Sequence, residues 1–153
     1  MTVIAFDAAK KRTGYAYTGG RGTTHWWITG VIDVADTAAL AGVIDDAKHE
    51  GVTRAVIENC YLGANVHTLK ALQEAQTRIR LACEMAGLPV VLVYASTWQA
   101  AYGITGPSAD RKLGARRVAN MLGAPDGLSQ DEYDAVCLCD YAMLNARELE
   151  VME

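Results

Sequence analysis

The 153-residue sequence has no low-complexity tract, no internal repeat and no stretch rich in proline or serine. With no linker to divide it, one domain is predicted over residues 1–153. A chain of this length buries about 68–70% of its unfolded surface and needs neither a disulfide nor a structural metal to fold. No apolar run approaches the ~18 residues of a membrane helix. The opening "MTVIAFD" lacks a charged n-region, an apolar h-region and a cleavage site. These absences predict a soluble protein with no membrane partner.

Zinc-type spacing is also missing. The four cysteines fall at 60, 83, 137 and 139, without a C-x₂-C pair. They read as small buried hydrophobes, reduced in a cytoplasmic compartment. His25, His49 and His67 show no ligand spacing, and no G-x-S-x-G elbow accompanies Ser96 or Ser108. Basic charge is not in excess: 14 Lys and Arg face 18 Asp and Glu, a net −4. Taken alone, that opposes a nucleic-acid partner.

What is present is a regular alternation of apolar segments. "VIAF" and "TGYAY" read as a hairpin around Lys10, Lys11 and Arg12, with Asp7 at the end of the first strand. "TTHWWITGVID" (23–33) reads as a third strand, with Gly30 a bulge. A helix capped by Asp36 or Thr37 and closed by Gly51 follows, then a strand over 53–58 ending on Glu58. A long helix is predicted over 64–86, with Val66, Leu69, Leu72, Gln76, Ile79 and Cys83 on one stripe. "PVVLVYA" (89–95), apolar throughout, reads as a central strand. A short helix over 96–102, a helix ending at Leu122 and a last helix over 130–149 complete the order. "SQDE" before that last helix has the form of a capping box. The result is an α/β fold: a mixed five-stranded sheet, three antiparallel strands then two parallel, with helices on both faces.

This architecture converges four acids. Asp7 and Glu58 end two strands, and a binding crevice in an open sheet lies beyond strand ends. Asp131 and Asp134, three residues apart, share one face at the start of the last helix. Four crowded carboxylates repel one another and lose charge unless cations neutralise them. Hard oxygen donors suit Mg²⁺ or Mn²⁺. Two such ions, about 3.5–4 Å apart, can clamp the attacking and leaving oxygens of a phosphodiester.

"IAFDAAKKRTGYAY", "AVIENCYLGAN" and "SQDEYDAVCLC" resemble three motifs of RuvC-type Holliday-junction resolvases, in the same order along nearly the whole chain. The resemblance implies the ribonuclease H-like fold. It also implies a crossover junction endodeoxyribonuclease with Asp7, Glu58, Asp131 and Asp134 as catalytic metal ligands and a 5′-phosphate product. Tyr61 matches an aromatic residue that touches the junction centre, and Asn65 matches in kind. Arg111 or Lys112 matches a basic residue near the scissile phosphate. The ending "ARELEVME" lacks a basic tail, and Ala8 stands where bacterial members often have proline. The tail-less form looks more like the shorter phage-encoded relatives, Ala8 argues against close cellular orthology, and the expected location is the cytoplasm of a bacterial or phage-infected cell.

Without the four ligands the charge balance becomes 14 against 14. The cations also cluster: Lys10, Lys11 and Arg12 follow Asp7, and Arg111, Lys112, Arg116 and Arg117 line one helix. Both groups are candidates for phosphate contact. A four-way junction has twofold symmetry, which fits a homodimer, and the long helix is a candidate dimer element. The rival readings are a nuclease of the same fold acting on RNA or an RNA–DNA hybrid, and a non-catalytic junction-binding protein. An actin-like nucleotide-binding module shares the first hairpin but needs two related domains, so no nucleotide cofactor is expected.

Overall fold

The structure is a computed structural model that describes residues 2–9, 11–20, 22–59 and 65–149. Strands β1 (Thr2–Asp7), β2 (Thr13–Gly19) and β3 (Trp26–Ile32) precede helix α1 (Thr37–His49) and strand β4 (Val52–Asn59). Helix α2 (Val66–Met85), strand β5 (Val90–Tyr94) and helices α3 (Ala95–Ala101), α4 (Ser108–Met121) and α5 (Gln130–Leu144) follow. The sheet order is β3-β2-β1-β4-β5. β1 pairs antiparallel with β2 and parallel with β4, and β4 pairs parallel with β5. The predicted mixed sheet and its topology are therefore present.

Side chains alternate between the two faces of each strand. In β1, Val3 and Ala5 face one core while Ile4 and Phe6 face the other. In β4, Val56 belongs to the first core and Ala55 and Ile57 to the second. The first core is closed by Trp98 of α3, Ala115 and Ala119 of α4, and Tyr133 with the run Ala135 to Cys139 of α5. The second is closed by Leu40, Ile44 and Ala47 of α1 and by Ala75, Ile79 and Cys83 of α2.

Several boundaries and roles differ from the sequence expectation. β5 is an edge strand, not a central one. It is apolar because helices cover both its faces, which buries Val90, Val91 and Val93. The predicted stripe of α2 reaches the core only through its C-terminal half, and Val66 is 77% exposed. α5 stops at Leu144 rather than 149. Asn145 is its C-cap, and the Asn145 Nδ2 donates to the Tyr141 carbonyl at 2.8 Å. β3 starts at Trp26, not at residue 23. Gly30 is no bulge, since β2 and β3 pair without a shift in register. A side chain there would collide with the Tyr15 ring, 2.5–2.7 Å from the position of its Cβ.

Other expectations hold. Asp36 caps α1 by accepting from the Ala39 N–H at 3.0 Å. Cys83, Cys137 and Cys139 are buried thiols, and Cys60 lies outside the described residues. The adjacent tryptophans divide as alternation requires: Trp26 is 52% exposed, while Trp27 packs on the first core and donates Nε1–H to the Leu122 carbonyl at 2.8 Å. Among the described residues, no helix is long and apolar enough to cross a membrane.

Candidate functional site

Strand alternation aims two acids at the same face. Asp7 follows Val3 and Ala5 in phase, and Glu58 follows Val56, so both point toward α5. Phe6 pairs with Ile57, so the acids one step further along parallel strands end side by side. Asp7 is 7% exposed, and Glu58 is partly buried.

The start of α5 brings the other two. Ser129 and Glu132 form the capping box, with the Ser129 N–H donating to Glu132 Oε2 at 2.8 Å. Thr29 of β3 donates its hydroxyl to Glu132 Oε1 at 3.0 Å, which ties the first helical turn to the sheet. Gly14, paired with Asp7 across β1 and β2, lets the helix approach. Its missing Cβ would lie 2.3 Å from the Asp131 carbonyl. The four predicted acids are thus gathered at one sheet edge from three segments of the chain.

Their electrostatics are those of a crowded anionic cluster. The Asp7 carboxyl is pushed well above its ordinary range, first by burial, then by Glu58, Asp134 and Asp131. A hydrogen bond between Asp7 and Asp131 pushes the Asp7 carboxyl up and the Asp131 carboxyl down. Glu58 rises to about 7 through burial, opposed by a hydrogen bond from Trp98 and aided by Asp134 and Asp131. Asp134 rises to about 6 through burial, opposed by a hydrogen bond from Gln130. Asp131 is raised by burial, opposed by the bond to Asp7 and by Lys112.

Among the described residues, no three His, Cys, Asp or Glu side chains stand close enough together, as placed, to hold a metal ion. Asp7 and Asp131 instead lie within hydrogen-bonding reach of each other. The donor chemistry nonetheless fits a divalent cation: four carboxylates, largely withdrawn from water, lacking enough positive charge to stay ionised.

A pH dependence follows. A carboxylate whose folded pKa is raised binds more protons folded than unfolded, so stability falls as pH rises through that interval. In EDTA, Glu58 alone should remove about 3 kcal/mol between its ordinary 4.5 and about 7. Thermal melts at pH 5 and 7.5 check this. Added Mg²⁺ should raise Tm at pH 7.5 and much less at pH 5; equal shifts at both would mean the cluster binds no cation.

The structure also sorts the predicted cations. Lys112 is the one of the Arg111–Lys112 pair whose charge reaches the carboxylates, acting on both Asp131 and Asp134. Gln130 links the two helices, donating Nε2–H to Asp134 Oδ1 at 2.8 Å and to the Lys112 carbonyl at 3.3 Å. Arg111 is exposed, and so is Arg116, whose guanidinium lies 5.8 Å from the Tyr133 ring centre. Lys11 and Arg12 are exposed between β1 and β2; Lys10 and Tyr61 lie outside the described residues. Asn65 caps α2, its Oδ1 accepting from the Thr68 N–H at 2.9 Å, a local reason for its presence.

No protein-family model matches this chain, and no curated protein matches it in sequence. Solved structures do. T. thermophilus RuvC in complex with Holliday junction substrate superposes with a TM-score of 0.73 at 13% identity, over 99% of this chain and 100% of that one. Thermus thermophilus RuvC gives a TM-score of 0.74 at 14% identity, over 99% and 100%. The Fowlpox virus resolvase, in a complex with substrate Holliday junction DNA, gives 0.62 at 14% identity, over 95% and 99%. The chain has the ribonuclease H-like fold of RuvC.

Two residues that hold the carboxylates within this RuvC fold carry no sequence signal as read above. Trp98 is an isolated aromatic in a short helix. Gln130 sits inside the capping-box motif and looks like its filler. Both are visible only once α3 and α4 are docked against α5.

Proposed function

We propose that this protein is a metal-dependent, structure-selective endonuclease that resolves four-way DNA junctions by paired symmetric phosphodiester hydrolysis, acting as a homodimer. The observation that carries this reading is the gathering of Asp7, Glu58, Asp131 and Asp134 at one sheet edge of a RuvC fold. That two structural neighbours are complexes with Holliday junction DNA supports the choice of substrate.

Asp7, Glu58, Asp131 and Asp134 would hold two Mg²⁺ or Mn²⁺ ions. Such ions, when bound, stabilise charge on the phosphate and acidify water. The chain's own residues supply the rest. Burial of Asp7 and Glu58 keeps bulk water from competing for the carboxylate oxygens. Gln130 fixes one oxygen of Asp134 and thereby the rotamer of that side chain. Lys112 places a positive charge at the rim, where a phosphate arrives, and holds Asp131 and Asp134 toward their ionised forms. Arg111, Arg116, Lys11 and Arg12 are exposed and are assigned here as further phosphate contacts.

The deciding experiment incubates the protein with a synthetic mobile junction and Mg²⁺. Paired nicks placed symmetrically across the junction are expected. Cutting of RNA–DNA hybrids or structured RNA in preference to junctions would redirect the reading to another nuclease of this fold. Junction binding with no cutting would make it a structural binder.

The cations separate in a second measurement. Lys112→Ala should lower cleavage by more than Arg111→Ala, because the Lys112 charge favours the ionised forms of Asp131 and Asp134. Each substitution that removes a phosphate contact should reduce the slope of log K against log salt by about 1. Unchanged slopes for both would place these cations away from the DNA.

A further inference from the structure

We infer that Trp98 is a positioning residue for the metal centre: its indole N–H ties one oxygen of Glu58 and so fixes the orientation in which that carboxylate meets a cation. This rests on the functional reading above and adds to it a residue and a binding mode.

The geometry is direct. Trp98 Nε1–H donates to Glu58 Oε2 at 2.9 Å. Trp98 is fully buried, in the core cluster that holds Val56, Val93 and Tyr133. Its ring is therefore fixed by packing against the sheet and α5. An indole nitrogen can only donate, so the bond has one polarity whatever the protonation state of its surroundings.

A buried indole N–H needs a partner, and Glu58 meets that need. Satisfying the indole requires only a carbonyl, however, and a carboxylate is an expensive group to bury for that purpose. The consequence for Glu58 is the same whichever need came first. One lone pair of Oε2 is engaged, and the bond opposes rotation of the carboxylate. Oε1 is the oxygen without that bond.

Asp134 shows the same arrangement. Its Oδ1 accepts from Gln130 Nε2 at 2.8 Å, leaving Oδ2. Two acids from different elements are thus each tied through one oxygen. The ties differ in stiffness: Trp98 is fully buried and held by core packing, whereas Gln130 lies at the partly buried rim. The Trp98 tie is the stronger determinant of where the ion sits.

The test uses the indole N–H as its own reporter. The chain has three tryptophans. Trp26→Phe and Trp27→Phe, both remote from the acids, assign the three indole N–H signals in a nitrogen–proton spectrum. Titrating the unsubstituted protein with Mg²⁺ without DNA should move the Trp98 signal saturably and leave the others in place. Calorimetry with Mn²⁺ should show Trp98→Phe binding the ion about 10–100-fold more weakly, the usual cost of losing such a partner. Junction binding in EDTA should be unchanged.

A stationary Trp98 signal at saturating Mg²⁺ overturns the inference, as does a folded Trp98→Phe variant with unchanged Mn²⁺ affinity. Should that variant fail to fold, the titration of the unsubstituted protein decides alone. An unsubstituted protein that binds no ion and leaves junctions intact removes the functional reading itself. One that binds ions and cuts, with the Trp98 signal unmoved, removes only the Trp98 assignment.

Discussion

Asp7→Asn is expected to reduce junction cleavage by about 10³-fold or more, on the scale of removing one preorganised charge-stabilising group, while making the metal-free protein more stable. The two effects have one cause. Asp7 sits almost out of water among three other acids, so its ionisation is opposed by burial and by its neighbours. An asparagine has the same shape and no charge to desolvate. Its amide can donate to Asp131, which keeps a hydrogen bond between the two positions.

The sign with pH is fixed by linkage. Because the folded pKa of Asp7 is raised, the cost of its charge is absent below the unfolded value of 3.8 and accumulates as pH climbs toward the folded one. Asp7→Asn should therefore raise Tm in EDTA at pH 7.5 and change it little at pH 4. For a domain of this size each kcal/mol is worth roughly 2–4 °C. With Mg²⁺ present the order should reverse, since the unsubstituted protein gains the ion and the variant loses a ligand. A structural acid tied to a lysine would behave oppositely, losing stability on substitution at neutral pH. A variant that cuts junctions at the normal rate would show that the cluster is not the reaction centre.

The parts of this site that could be read from the sequence are those set by the ends of regular elements. Asp7 and Glu58 close apolar runs, and Asp131 and Asp134 open a capped helix. Strand period and helix period then place them without knowledge of packing. What depends on docking was not legible. The choice between Arg111 and Lys112 is a matter of 100° around α4, and it turns on which charge reaches Asp131 and Asp134 once α4 lies against α5. Trp98 reaches Glu58 through the fold, across 40 positions of sequence. The apolar run of β5 could not reveal an edge strand, because two layers of helices bury it as thoroughly as neighbouring strands would. The outer half of α2 kept an apolar spacing that meets no core, so periodicity overstated its burial. Asn65, read as a contact residue, is also the cap that its position one residue before the helix allows.

Gly14→Ala is expected to be among the most damaging single-methyl changes in the protein, although no unusual backbone angle is involved. The reason is distance. A Cβ on residue 14 would lie 2.3 Å from both the carbonyl carbon and the oxygen of Asp131, and 2.8 Å from its Cβ. The first two are backbone atoms of α5, and no side-chain rotation relieves them. The helix must move as a body, yet it packs on β1, β2 and β3 through buried Tyr133 and the buried run Ala135 to Cys139. Overpacking of this kind costs about 1–3 kcal/mol. The loss of activity should exceed the loss of stability, because the residue pushed away is itself one of the four acids, and a displacement near 1 Å can cost about 10²-fold in rate. Gly42→Ala is the matched control: it lies in α1 with nothing within 4 Å of its Cβ position and no positive φ. That change should stabilise the protein by about 0.8–1 kcal/mol through helix propensity. Melting curves, Mn²⁺ calorimetry and junction cleavage on the pair separate the effects. Gly14→Ala should bind Mn²⁺ weakly even at temperatures where it remains folded. Were it to melt, bind and cut like the unsubstituted protein, α5 could not rest on β2 at this point, and the convergence of the acids would have to be built another way.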